Sequence, residues 1–289
     1  MKTWDETIRY IRTQPEYATL VEKAYFEEDL KLNVERFRAS DEYKETLQLL
    51  KQYAPSAKTL LDIGSGNGIS AISFALDGFQ VTVSEPDPSD TVGAGAIRIL
   101  KEIYGIEDLV VYEEFAENIS FPNGLFDIVY VRQAMHHAYD LNKFIKNLSS
   151  LLKPKGILAT IRDHVIYDEK DKIWFLENHP LQKFYGGENA FTSEQYREAF
   201  KQAELSLLLE LKYYDSVINY FPTTKSSIIE KMEKAEKDVE NNLNKKIGFL
   251  SKISVVKKWY KKRLNFNREN MFNEVKIPGR MYSYITQKC

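Results

Sequence analysis

The chain has 289 residues, 43% hydrophobic and 13% aromatic, and 40 Lys and Arg against 42 Asp and Glu leave a net charge of −2. That length and composition suit one domain with a large insertion or a small cap, and the near-balanced charge offers no global case for a nucleic-acid partner. No run of about 18 uncharged apolar residues is present to span a membrane, the opening Met-Lys-Thr-Trp-Asp-Glu-Thr reads as lacking an apolar signal region, and the single cysteine, Cys289, permits no internal disulfide, so a cytoplasmic setting is expected.

Residues 3–53 read as helical. Tyr17, Leu20, Val21, Ala24 and Tyr25, then Tyr43, Leu47 and Leu50, recur at helix spacing. Ser40-Asp-Glu-Tyr supplies a cap and first turn for the last of these helices, and Ala54-Pro55-Ser56 ends the region. Residues 1–55 are expected to form a helical extension beside the mouth of the domain that follows.

From residue 58 strands and helices alternate. Residues 58–63, with Asp62 near their end, read as a strand, Gly64, Gly66 and Gly68 form a turn, and 68–77 reads as a helix. A strand, a glycine turn and a helix N-terminus let a nucleotide-like ligand lie against bare backbone. The spacing argues against a dinucleotide: in G-x-G-x-x-G the third glycine comes one residue later, where Ile69 stands here. Asp62, just before the turn, would repel a pyrophosphate and could bind an ammonium group. The implied ligand is a nucleoside carrying an amino acid. Val81-Thr-Val-Ser-Glu85 is a second strand ending in an acid, about 20 residues past the turn, where a carboxylate reaches a ribose hydroxyl pair.

Asp62, Gly64, Gly66 and Gly68 match (D/E)-x-G-x-G-x-G without a gap. In this the chain resembles the class I S-adenosylmethionine (SAM)-dependent methyltransferases, and among them bacterial small-molecule methyltransferases. The resemblance implies SAM as cofactor, with Ser65 and Pro86 beside the matched residues also at the cofactor. It implies an α/β fold, a doubly wound, mostly parallel seven-stranded sheet. N-terminal helices precede that sheet, and a helical insertion precedes the last strand.

The rest of the chain fits this rhythm. A helix over 91–104 is expected, then strands at 109–112 and 126–131, a helix at 142–152, a turn at 153–156 and a strand at 157–161. A helix over 194–203 and a strand at 205–212 close a core of 56–212. Residues 213–279 read as a charged, helical insertion. The alternating Arg280-Met-Tyr-Ser-Tyr-Ile-Thr-Gln287 reads as a strand, and the resemblance makes 280–289 the final antiparallel strand.

Candidate site residues lie after the strands, where ligands sit in such folds. After the third strand, Phe115 stands where relatives carry an adenine-binding Asp, while Ala116 and Glu117 match; backbone donors and apolar contact would then hold the adenine. After the fourth come Arg132 and Gln133, expected at the cofactor, and His136 and His137. His137 is the better placed of the pair to face an acceptor and take a proton; the pair could equally be a local hydrogen-bonding corner. Adjacent histidines point in different directions and no third ligand stands at a characteristic spacing, so no metal is expected. After the fifth strand, Arg162, Asp163 and His164 could contact the acceptor, with His164 a second candidate base and Asp163 an orienting or accepting group, or Arg162 and Asp163 could simply close the sheet end. The loop 177–191 carries His179, Tyr185, Glu188 and Asn189, suited to a polyhydroxylated acceptor. Residues 245–263 hold eight basic residues and no acid among apolar ones. That stretch would be either a peripheral membrane contact or a cap helix with one buried face.

The expected activity is methyl transfer to a small polar acceptor, a hydroxyl of a sugar or sugar nucleotide. Two alternatives stand beside it: a lipid-linked or membrane-bound acceptor, and a SAM-binding protein without catalysis.

Overall fold

A computed structural model describes residues 1–248, 254–263 and 273–289. Four helices open the chain: α1 (Trp4–Arg12), α2 (Ala18–Lys23), α3 (Leu30–Ala39) and α4 (Asp41–Tyr53). The Ser40 hydroxyl accepts from the Tyr43 amide at 3.1 Å and starts α4 as the sequence suggests. The alternating core follows as β1 (Thr59–Ile63), α5 (Ile69–Leu76), β2 (Gln80–Ser84), α6 (Ala94–Tyr104), β3 (Val110–Tyr112), β4 (Phe126–Arg132), α7 (Leu141–Leu151) and β5 (Leu152–Ile166). Next come α8 (Glu169–Asn178), α9 (Gln182–Tyr185), β6 (Phe191–Thr192), α10 (Ser193–Gln202) and β7 (Leu205–Leu211). Helices α11 (Val217–Tyr220), α12 (Lys225–Ile247) and α13 (Ser254–Arg263) separate β7 from β8 (Met281–Lys288).

The sheet runs β3-β2-β1-β4-β5-β8-β7, and β8 is antiparallel to both its neighbours. The doubly wound, mostly parallel order expected from the sequence is therefore present. The addition is β6, two residues that pair with the far end of β5.

Period-two alternation decides which helices cover which face. Leu60, Val81, Val83, Ile128 and Ile157 pack with α3 to α6 on one side. Leu61, Ile63, Val129, Val131 and Leu158 pack with α7 and α10 on the other. A sheet covered on both faces explains why its central strands are near-continuously apolar. A third, smaller cluster joins Ile8, Ile11 and Val21 of the N-terminal helices to Val92 and Leu181, with Trp4, Phe26, Phe184 and Tyr185 packed against it.

Two expectations need correction. The turn at 153–156 lies inside β5, where four residues face Asp127 alone between the pairs Phe126–Leu152 and Ile128–Ile157. Gly156 makes that bulge possible, since a Cβ there would lie 2.9 Å from the Lys153 carbonyl oxygen. The loop 177–191 is not a loop throughout: it holds the end of α8, all of α9 and the start of β6. The stretch 245–263 falls partly outside the described residues; in its α13 portion Val255 and Trp259 are exposed. Among the described residues no helix is long and apolar enough to cross a membrane.

Candidate active site

The chain leaves β1 at the point where the strand order reverses, with β2 on one side and β4 on the other. Helices on opposite faces part there, and a crevice opens at the strands' C-terminal ends. It forms a cavity of about 800 Å³, within the range of ligand pockets.

At one end are the glycine turn and two carboxylates. Asp62 is buried, and its Oδ2 accepts from the Ser65 hydroxyl at 2.7 Å. Gly64 has φ +63°, and a Cβ there would come within 2.8 Å of the Ala134 Cβ, so only glycine fits. The Gly66 amide donates to Glu85 Oε2 at 2.7 Å, while Glu85 Oε1 accepts from the Asp87 amide at 2.9 Å. Burial pushes both Asp62 and Glu85 up to about 7, against the hydrogen bonds that favour their charged forms. Two hydrogen-bonded, desolvated carboxylates at a glycine cradle are poised for ligand groups that donate: an ammonium and a pair of hydroxyls. SAM carries both, so the donor set fits it.

Ser65, Pro86, Ala116, Glu117 and Gln133 also line this cavity. Arg132 lines it too, but its Nε donates to Glu42 Oε1 at 2.7 Å, so its charge is matched from α4. Gly68 does not line it. With φ +82°, it lies where a Cβ would stand 2.7 Å from Ile97 Cγ1, so it serves the close approach of α5 to α6. Phe115, in the place of the adenine-binding Asp, is exposed on the cavity rim.

The other end gathers all four histidines of the chain, His136, His137, His164 and His179, with Tyr185, Glu188 and Asn189. The His136 backbone amide and Nδ1–H both donate to Asp163 Oδ1, at 3.1 and 3.0 Å, and its Nε2 lies 3.4 Å from Glu188 Oε2. Burial disfavours a charged ring, yet the two carboxylates outweigh it and lift the His136 pKa to about 9. Burial and the charge on His136 push His137 down to about 4 and His164 well below the ordinary imidazole value. Burial also lowers His179. The Glu188 carboxyl is held far below the usual range despite its burial, because His136 and its neighbours surround it. His137 Nδ1–H donates to the Gly187 carbonyl at 2.9 Å, and the residue lines the cavity.

Two of the expected acceptor groups lie elsewhere. Between the pairs Thr160–Tyr284 and Asp163–Tyr282 the β5–β8 register shifts, and Arg162 adopts φ +60°. Such a bulge re-aims side chains. The Arg162 guanidinium turns to the Ile218 and Phe221 carbonyls and to Glu42. Asp163 sits behind His136, fully buried and off the cavity wall, which makes it a positioning group and not a base.

The N-terminal helices were expected beside the mouth of the domain, but the sequence reading did not name the residues they bring to the cavity. Trp4 of α1, Leu20, Ala24 and Phe26 line the cavity, and Trp4 packs edge-on against Tyr185 with centroids 4.9 Å apart. The Thr3 capping box that starts α1 is a local signal that could have placed Trp4 in the first turn of a helix.

The methyltransferase-domain family matches residues 34–210. The chain belongs to this family. SAM is therefore its cofactor, and the glycine turn with Asp62 and Glu85 is the part of the site that fits it. Among curated relatives, the chain is 29% identical over 112 residues to the uncharacterized methyltransferase YcgJ of Bacillus subtilis, covering 36% of this chain and 40% of that one. It is 34% identical over 98 residues to a ubiquinone biosynthesis O-methyltransferase of Rickettsia prowazekii, covering 34% and 37%. The alignments thus span well under half the length of these relatives. In fold, the chain is similar to geranyl diphosphate C-methyltransferase from Streptomyces coelicolor, with TM-score 0.55 at 14% identity over 97% of this chain and 87% of that one.

Proposed function

We propose that this methyltransferase acts on a hydroxyl of a small, uncharged polar acceptor, a sugar or related polyol, with His137 receiving the proton. SAM supplies an electrophilic methyl group. The chain's own residues bind, orient and dehydrate. One observation carries the reading: the far end of the cavity is rich in hydrogen-bonding His, Glu, Tyr and Asn groups, and the whole cavity's only Lys or Arg among the described residues is Arg132, already paired with Glu42. An acceptor bearing a diphosphate would find no free cation there, which favours a free sugar over the sugar nucleotide of the initial expectation. Trp4, Phe26, Phe144 and Tyr185 offer flat apolar surfaces suited to sugar C–H faces. His137 is held through Nδ1, which leaves Nε2 as its free ring atom. The cytoplasmic setting expected from composition belongs to the same reading.

The test is incubation of the protein with SAM and a panel of sugars, sugar phosphates, sugar nucleotides and amines, read by S-adenosylhomocysteine release and product mass. His137→Gln should lower kcat about 100- to 10,000-fold while SAM binding persists. Turnover confined to phosphorylated acceptors or amines would overturn the proposal. SAM binding without turnover on any acceptor would favour a non-catalytic SAM-binding protein.

A further inference from the structure

The histidine cluster holds more imidazoles than proton transfer requires. We propose that His136, His164 and Glu188 form a binding site for one first-row divalent transition-metal ion of the Zn²⁺ or Fe²⁺ class, with His179 at its edge. One donor atom from each of the three lies within 4.8 Å of the others. Two imidazoles and one carboxylate form a donor set that suits such ions, whereas Mg²⁺ and Ca²⁺ prefer oxygen donors.

Three features separate this cluster from a chance gathering of polar groups. The first is how the rings are held. Metal-binding imidazoles commonly donate their second N–H to a carboxylate or carbonyl, which fixes the tautomer and aims the other nitrogen's lone pair. His136 Nδ1–H does so to Asp163 Oδ1 at 3.0 Å, and His164 Nδ1–H to the Gly279 carbonyl at 2.9 Å. Each ring then has Nε2 as the atom that would ligate, the ion displacing the proton that His136 otherwise holds there between Asp163 and Glu188. The second is unmet polarity. His179 Nδ1 is buried and has no hydrogen-bond partner, and Glu188 Oε2, on a side chain only 5% exposed, faces the His136 Nε2 at 3.4 Å as an ion pair and not in a well-formed hydrogen bond. Unsatisfied buried groups of this kind are rare in folded proteins. His179 Nδ1 lies 3.5 Å from Glu188 Oε1, close enough to join or support the set. The third is reach. A tetrahedral ion with metal–nitrogen bonds of about 2.0–2.1 Å separates its ligands by roughly 3.3–3.5 Å, so the cluster must contract by about an ångström. Glu188 follows Gly186 and Gly187 between α9 and β6, a stretch whose backbone can make that adjustment.

The site lies on the cavity wall, so open coordination positions would face the acceptor. Resting on the hydroxyl-acceptor reading above, the ion would bind the acceptor oxygen as a Lewis acid and lower the hydroxyl's pKa. His137 is then the neighbouring group that carries the proton away.

The test uses the full chain, stripped of metal by chelator dialysis and titrated with Co²⁺ and Zn²⁺. The readouts are visible Co²⁺ absorption and metal content after gel filtration. One equivalent should bind and should resist excess Mg²⁺. His164→Gln and Glu188→Gln should each abolish that binding, and Asp163→Asn should weaken it about 10- to 100-fold. SAM titration of every variant reports whether the fold survives and does not depend on the metal. Absence of saturable Co²⁺ binding would overturn the site, as would binding unchanged in both glutamine variants, which would mark an ion held elsewhere. Metal failure alongside sugar methylation would leave the acceptor reading standing, and metal binding without sugar methylation would overturn only the acceptor reading.

Discussion

Asp62→Asn is expected to weaken SAM binding and, in the same protein, to raise stability above neutral pH. In the ligand-free protein the Asp62 carboxyl is pushed up to about 7, chiefly by burial, with Ser65 and the charge of Arg132 acting against that rise. If only the ionised form pairs with the ligand's ammonium, affinity follows the ionised fraction. That fraction is about one half at pH 7 and one tenth at pH 6, so Kd should rise about fivefold over that unit and about fiftyfold by pH 5. The ligand's own amine stays protonated across this range, since α-amino groups titrate near 8. Removing the charge should cost about 1.5–3 kcal/mol of binding at pH 7.5, the worth of a charge-assisted hydrogen bond. Stability moves the other way. The folded state holds the Asp62 proton to a higher pH than the unfolded chain, so the wild type loses stability as pH rises from about 4 through about 7. Asn carries no such loss, so the variant should gain up to roughly 4 kcal/mol at pH 8 relative to wild type, a ceiling set by the pKa difference. Calorimetric SAM titrations at pH 5, 6, 7 and 7.5, paired with thermal melts of the free proteins, check both halves. A wild-type Kd flat over this range would refute the argument. So would an Asn variant that keeps the wild-type pH slope; Glu85→Gln would then identify the other carboxylate raised to about 7 as the titrating group.

Glu42→Gln should destabilise the protein by about 3–5 kcal/mol, because it strands the buried guanidiniums of Arg132 and Arg162 that Glu42 faces at 2.7 and 3.5 Å; a denaturant midpoint close to wild type would show the network to be dispensable. Gly68→Ala should cost about 1–3 kcal/mol through its left-handed backbone and the Ile97 contact, while SAM affinity in the folded fraction stays at the wild-type value. Lost binding with an unchanged melting point would instead return Gly68 to the ligand. Trp4→Ala should loosen the cover over the cavity by removing its edge contacts with Phe26 and Tyr185, seen as faster protease cleavage in α1 that SAM suppresses; equal cleavage rates with and without SAM would count against α1 as a ligand-responsive cover.

What could be read along the chain is what short stretches encode. Residues 59 to 69 hold a buried strand, a charged end and three glycines needing positive φ, and nearby atoms impose each of these conditions. The alternation from 58 to 212, and the antiparallel return of the last strand, follow from period and from the family resemblance. Tertiary structure alone decided three things. The register shift between β5 and β8 depends on pairing residues more than a hundred positions apart, and it swings Arg162 away from the cavity while setting Asp163 behind His136. The role of Gly68 appears only when Ile97 of a separate helix arrives against it. His136, His164, His179 and Glu188 were each expected on the acceptor side, but their direct contact with one another rests on the ends of two strands, the end of α8 and the segment after α9 meeting over one cavity. No spacing along the chain announces it, because the pull of their charges and lone pairs on one another exists only once the sheet has closed.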